Sequence, residues 1–140
     1  MGLDMYLEKH TYISQYGGET LELEYPGIKP ERVNYIQERI GYWRKANAIH
    51  AWFVENVQSG VDECQKCYVD KEQLRKLLST VTRIQADHTL APALLPTQNG
   101  FFFGGTEYEE GYYDDLEETR KIMEAALEEE DGEFYYQASW

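Results

Sequence analysis

Over the first residues apolar and polar positions alternate: Leu3, Met5 and Leu7 are separated by Asp4 and Tyr6 and followed by Glu8. A period of two marks a half-buried strand. It predicts a strand over residues 3–13, with the pattern slipping towards Tyr12 as at a β-bulge. After the Gly17-Gly18 turn signal, Leu21, Leu23 and Tyr25 alternate with Glu22 and Glu24. A second strand over residues 19–25 and a hairpin with the first are expected. Pro26-Gly27 ends that strand, and Pro30 keeps the next residues irregular. Val33, Tyr35, Ile36 and Ile40 then predict a third strand over residues 32–41.

The period changes at residues 42–58, which read as the main helix, ended by Ser59-Gly60. At about 100° per residue, Ala46, Ile49, Phe53 and Val57 share one core arc. His50 falls between Val57 and Trp43, and Asn47 lies near Trp43 and Val54. Burying either polar group unpaired would cost roughly 1–3 kcal/mol, so both need partners. Two readings follow: they are satisfied inside the core, or they line a pocket at one edge of the helix with Arg44 as its cationic rim. Trp52 projects from the opposite side, beside Lys45 and Ala48, and must be covered by another segment or form a contact surface.

A loop and a short strand are expected over residues 61–69. Asp70 and Gln73 have the capping-box spacing and open a helix to about Gln85, with Leu74, Leu77, Leu78, Val81 and Ile84 on one face. Asn99-Gly100, between Leu94-Leu95 and Phe101-Phe102-Phe103, is a hairpin signal, and Gly104-Gly105 turns the chain again. A last helix is expected over residues 114–129, burying Leu116, Thr119, Met123 and Leu127 and ended by Gly132, with a final strand over residues 133–140. The sum is a single domain over residues 1–140, of the α+β class: a mostly antiparallel sheet of about six strands with three helices.

Charge narrows the function. The 26 acidic residues outnumber the 13 basic ones, for a formal net charge of −13. That argues against direct phosphate-backbone binding by the domain as a whole and suits docking onto a basic protein. The sequence shows neither a membrane-length apolar run nor a signal peptide, and Tyr6 breaks the myristoylation pattern that Gly2 would begin. A soluble protein of the cytoplasm is expected. Twelve Tyr, five Phe and three Trp suit half-buried sheet faces and wet pockets.

No motif of catalysis stands out. Cys64-x-x-Cys67 is one pair where structural zinc needs four ligands, and His10, His50 and His88 are scattered, so two free thiols are expected and neither a metal nor a cofactor. Residues 100–106 are glycine-rich but lack the Lys-Ser/Thr ending of a phosphate loop. Glu107, Glu109 and Glu110 are favoured at a helix start in any case. What the residues do supply is a candidate ligand pocket. Arg44, Lys45, Asn47 and His50 offer donors; Trp43, Phe102, Tyr108 and Tyr112 offer rings; Gly104 permits close approach, with Thr106 beside it. Cations with stacking faces suit a small anionic aromatic molecule such as a nucleotide.

Three stretches carry a resemblance: Met1-Gly2-Leu3-Asp4-Met5-Tyr6-Leu7; then Trp43-Arg44-Lys45-Ala46-Asn47-x-Ile49-His50-x-Trp52-Phe53-Val54; then Leu95-Pro96-Thr97-x-x-Gly100-Phe101-Phe102-Phe103-Gly104-x-Thr106-Glu107-Tyr108. These blocks resemble those of a family of small proteins encoded by phages and prophages, with the likeness running to about Leu127. The resemblance implies a mobile-element protein acting inside a bacterial host cell and, as an accessory protein, countering host defence. Two routes fit: the pocket sequesters a nucleotide-like signal, or the acidic surface covers a basic site on a host protein as a DNA mimic would. An enzyme without a recognisable motif is the third reading. Sheet edges and exposed rings leave a homo-oligomer open.

Overall fold

The computed structural model describes residues 2–14, 21–100 and 104–140. Among these residues the chain is α+β. Four strands, β1 (Asp4–Tyr12), β2 (Tyr35–Arg44), β3 (Cys67–Val69) and β4 (Glu133–Ser139), form one antiparallel sheet in the order β2-β1-β4-β3. Four helices, α1 (Asn47–Asn56), α2 (Lys71–Ala86), α3 (Ala91–Leu94) and α4 (Glu110–Glu128), accompany it. No described helix is long and apolar enough to cross a membrane.

The strand count is lower than the sequence pattern predicts, and the pairing explains why. β1 is central, with β2 on one side and β4 on the other. Both of its edges are occupied, which leaves no place for the expected hairpin with residues 19–25. Of that predicted strand, Glu19 and Thr20 lie outside the described residues. Residues 21–24 form no strand, and Tyr25 makes only an isolated bridge to Ile28. The predicted hairpin at Asn99-Gly100 is not formed from its first arm either. Leu94 ends the short helix α3, and Phe101, Phe102 and Phe103 lie outside the described residues.

The expected helix over residues 42–58 is shorter at its start. Tyr42, Trp43 and Arg44 continue β2, where alternation wins: Gly41 and Trp43 are buried, Tyr42 and Arg44 exposed. Lys45 N donates to Leu3 O at 2.7 Å and adopts φ 55°, and the chain turns there into α1. The last helix, by contrast, begins earlier than expected, at Glu110, which brings Tyr112 onto its buried side with Leu116, Thr119, Ile122, Met123 and Ala126. The expected capping box is present: Asp70 accepts from Gln73 N while the Gln73 side chain accepts from Asp70 N.

The bulge lies between Leu7 and Glu8, where Gly41 and Arg39 are the successive partners and Ile40 is the extra residue on β2. Alternation along β1 therefore persists. Met5 and Leu7 face the helices together with Tyr136 and Ala138 of β4. Phe53 of α1 stacks on Tyr136, with ring centres 3.9 Å apart, and meets Trp43 edge-on. Leu74, Leu77, Val81 and Ile84 of α2 are fully buried and pack beside α4. Trp52 is 7% exposed, so its side of α1 is covered. The other sheet face, among the described residues, presents Tyr6, Tyr12, Tyr35, Tyr42, Tyr68 and Tyr135 among polar residues.

Candidate functional site

The β2-to-α1 junction is where the candidate residues converge. A cleft of about 410 Å³ is lined by Arg44, Lys45, Asn47, Thr97, Gly104, Gly105, Glu107, Glu109, Tyr112 and Asp115. Its volume falls in the range of small-ligand pockets. Of the nine expected residues that are described, five line it: Arg44, Lys45, Asn47, Gly104 and Tyr112.

The strand-to-helix turn creates this cleft. With φ 55° at Lys45, the backbone bends away from the sheet and leaves the Lys45 side chain exposed on the rim. Gly104, at φ 84°, packs against it. A Cβ there would meet the Lys45 side chain at 3.2 Å and its carbonyl oxygen at 3.3 Å. The expected close approach at Gly104 is thus first of all to Lys45. Asn47 pins the far wall: its Nδ2 donates to Gly105 O and its Oδ1 accepts from Gln98 N, both at 2.8 Å. One side chain thereby ties residues 98 and 105 to the start of α1.

Charge within the cleft is mixed. Arg44 donates to Asp4 Oδ1 at 2.7 Å, and that pairing raises its pKa. Among the described residues Lys45 makes no ion pair, so its ammonium is the cation available to a ligand. Facing it are Glu107, Glu109 and Asp115. Burial, and secondarily the neighbouring Asp114, push the Asp115 carboxyl up to about 6. Tyr112 donates to Leu95 O at 2.8 Å, and burial pushes its phenol upward.

The four other described candidates lie elsewhere. His50 is 1% exposed and sits in the core, between Tyr136 and Asp62. Trp43 is buried and donates from Nε1 to Thr119 Oγ1 at 2.9 Å. Tyr108 packs edge-on against Tyr112 and accepts from Thr97 N at 3.2 Å, so it buttresses the cleft from behind. Thr106 contributes its carbonyl to Thr97 Oγ1. Phe102 lies outside the described residues.

Asp115 is the cleft-lining carboxyl that residue type alone does not single out. It stood among thirteen acids of the last third, indistinguishable by composition. The signal lay in spacing: once a helix starts near Glu110, Asp115 falls three residues after buried Tyr112 and beside buried Leu116. Cys64 and Cys67 are free thiols, both half-buried. Among the described residues no group of three or more His, Cys, Asp or Glu could hold a metal ion.

Set against protein-family models, curated proteins and solved structures, the chain matches none of them.

Proposed function

We propose that this chain is a small-molecule-binding protein that holds a nucleotide-like ligand in the cleft between Lys45 and Asp115. The observation that carries the reading is the convergence itself. A cationic rim, an amide-pinned wall and a protonatable carboxyl surround about 410 Å³ of space. A phosphate would sit against Lys45 and the flank of Arg44. The amino and ring N–H groups of a base would face Glu107, Glu109 and Asp115, and the apolar floor is Ile49 and Leu116. Among the described residues His50 does not line this cleft and its acids have no imidazole beside them, and we read the cleft as a site of binding in preference to turnover. Together with the resemblance to phage-encoded proteins, the reading becomes sequestration of a nucleotide signal used by host defence.

The alternative, an acidic face that mimics DNA, loses only three of the acids of the last third to ion pairs among the described residues. Arg120 pairs with both Glu117 and Glu124 of α4, and Lys9 pairs with Glu129.

Thermal unfolding with a panel of mononucleotides and cyclic nucleotides tests the proposal. A ligand at about 100 times its dissociation constant adds roughly 2.7 kcal/mol, or several degrees for a domain of this size. The expected result is a selective upward shift that Lys45→Ala abolishes. A panel without any shift would remove this reading and leave the acidic-surface one to be tried with basic protein partners.

A further inference from the structure

The cleft takes in the first turn of α1, and a second cavity, of about 430 Å³, is lined by the helix beyond it. Among the described residues Ala48 alone lines both. The segment after α3 walls the two in turn: Thr97 lines the cleft, and Leu95, Pro96 and Gln98 line the cavity. Each space therefore has its own side chains and its own chemistry.

Much of the cavity wall is apolar and packed in place. Trp52 is buried and meets Phe53 edge-on with ring centres 5.2 Å apart. Leu95 is buried as well, and Leu94 and Pro96 flank it. His50, 1% exposed, is held at both ring nitrogens, by the Tyr136 hydroxyl at 2.6 Å and by Asp62 Oδ1 at 3.0 Å.

The polar atoms left for a ligand are mostly acceptors. Asp62 Oδ1 takes both His50 and Trp140 Nε1, the latter at 3.1 Å. Among the described residues every hydrogen bond of Asp62 falls on that oxygen, so Oδ2 is left to the cavity. Asn56 donates from Nδ2 to Trp52 O at 2.9 Å, and Gln98 donates from Nε2 to Pro96 O at 3.3 Å. Their carbonyl oxygens remain; Lys76 Nζ stands 3.5 Å from that of Asn56. Asn99, which is exposed, keeps both a donor and an acceptor. No Lys or Arg is among the described residues that line the cavity, and the last turn of α1, which does line it, carries no basic residue. The negative end of that helix adds to the preference for a cation.

Acceptors around a carboxylate without a basic partner give a phosphate or a ligand carboxylate nothing to bind. A primary ammonium is their complement, with three donors and no acceptor, and its bond to a carboxylate is of the strong, charge-assisted kind. The apolar wall calls for a hydrophobic body on the same molecule. We propose that this cavity binds an arylalkylamine, a single ammonium group carried on an aromatic body. The ammonium lies at Asp62 Oδ2 and the ring lies against Trp52, Leu95 and Pro96. His50 is a positioning residue that holds the carboxylate from behind. The site is separate from the nucleotide cleft and does not rest on it.

Calorimetric titration of the full chain with phenethylamine tests this. Saturable binding is expected. Phenethyl alcohol and phenylacetate keep the ring without the ammonium, and ethylamine keeps the ammonium without the ring. Each should bind about tenfold more weakly. Asp62→Asn retains an oxygen for His50 and Trp140 and should weaken phenethylamine about tenfold. Ala51→Leu fills the cavity, leaves Asp62 in place and should weaken it by about as much. Glu63→Gln removes a neighbouring charge outside the cavity and should leave the affinity within about twofold. Asp115→Asn should do the same, although the cleft also holds carboxylates. Circular dichroism of each variant checks that the fold is kept. The proposal is overturned by an absence of saturable heat, by phenethyl alcohol binding as tightly as the amine, or by a folded Asp62→Asn with unchanged affinity. A loss at Asp115→Asn as large as that at Asp62→Asn would place the amine in the cleft and overturn it too.

Discussion

His50 and Asp62 form the link that closes the core beside α1: His50 Nε2 stands 3.0 Å from Asp62 Oδ1, and its Nδ1 stands 2.6 Å from the Tyr136 hydroxyl. The same Asp62 oxygen accepts from Trp140 Nε1 at 3.1 Å. With Nε2–H donating to the carboxylate and Nδ1 accepting from the phenol, one neutral imidazole satisfies both neighbours. Carboxylate, imidazole and hydroxyl in this order resemble a catalytic relay, but Tyr136 is fully buried and no substrate reaches its oxygen. These hydrogen bonds join α1, the loop before β3 and β4, and His50 and Asp62 also line a cavity of about 430 Å³ with Trp52 and Leu95.

Removing the imidazole should therefore cost stability and spare nucleotide binding. His50→Ala leaves a buried phenol unpaired and a cavity beside Phe53. The expected loss is about 2–3 kcal/mol, read by urea unfolding. Tyr136→Phe deletes only one hydroxyl and should cost about 1 kcal/mol. If folded His50→Ala lost its nucleotide-induced thermal shift selectively, His50 would belong to the binding site after all.

Asn47 makes the opposite case, a polar residue of α1 whose work is done at the cleft. Asn47→Ala breaks two bonds of 2.8 Å that hold residues 98 and 105. Hydrogen exchange at the Gln98 amide should accelerate at least tenfold, and affinity for the cleft ligand should fall. Global stability should drop by about 1–2 kcal/mol. Unchanged exchange at Gln98 would show that the wall is held by other contacts.

How far the sequence discloses this arrangement depends on the range of the interaction. Local signals are faithful: the Asp70–Gln73 box, the Leu74–Ile84 stripe and the alternation of β1 each report a structure settled within a few residues. The strand assigned to Leu21, Leu23 and Tyr25 fails because strand pairing is a competition. β1 bonds to β2 and β4 and so has no edge left for a hairpin with residues 21–25, which form no strand. The helix assigned from Tyr42 fails for a related reason. Trp43 suits a helix stripe and a strand face equally, and the bond from Lys45 N to Leu3 O decides the matter from forty residues away. The cleft is legible in part because Arg44, Lys45 and Asn47 are neighbours in sequence. Asp115 arrives from α4 by tertiary packing alone.

Gly41 is a position where this packing can be tested. It lies on β2 opposite Leu7, and a Cβ there would come within 2.6 Å of Ile122 Cγ2 and 3.3 Å of Leu7 Cβ. Gly41→Ala should destabilise by about 1–3 kcal/mol through overpacking against α4. Ile122→Ala alone creates a cavity, but in the double variant the new methyl occupies part of it. A coupling of about 1 kcal/mol is expected in a double-mutant cycle. Strict additivity would mean that α4 does not press on the sheet at this point.

Asp115 couples the cleft to pH. Its carboxyl is pushed up to about 6 from an ordinary 3.8, chiefly by burial and then by Asp114. Between those two values the folded chain keeps a proton that the unfolded chain has released, so this group's contribution to stability falls as pH rises through the window. The cost is absent below about pH 4 and complete somewhat above pH 6, and partial exposure holds it to the order of 1–2 kcal/mol. Asp115→Asn imitates the protonated acid. It should raise the unfolding midpoint at about pH 8, leave it unchanged near pH 4 and flatten the profile between. The same titration acts on a bound anion: below about pH 6 a phosphate at Lys45 shares the cleft with a neutral carboxyl, and above it with a negative one. Affinity should weaken as pH rises from about 5 to about 7.5, and Asp115→Asn should remove the trend. Affinity that climbs with pH over that range would place a cationic part of the ligand against Asp115 and overturn the phosphate-at-Lys45 arrangement.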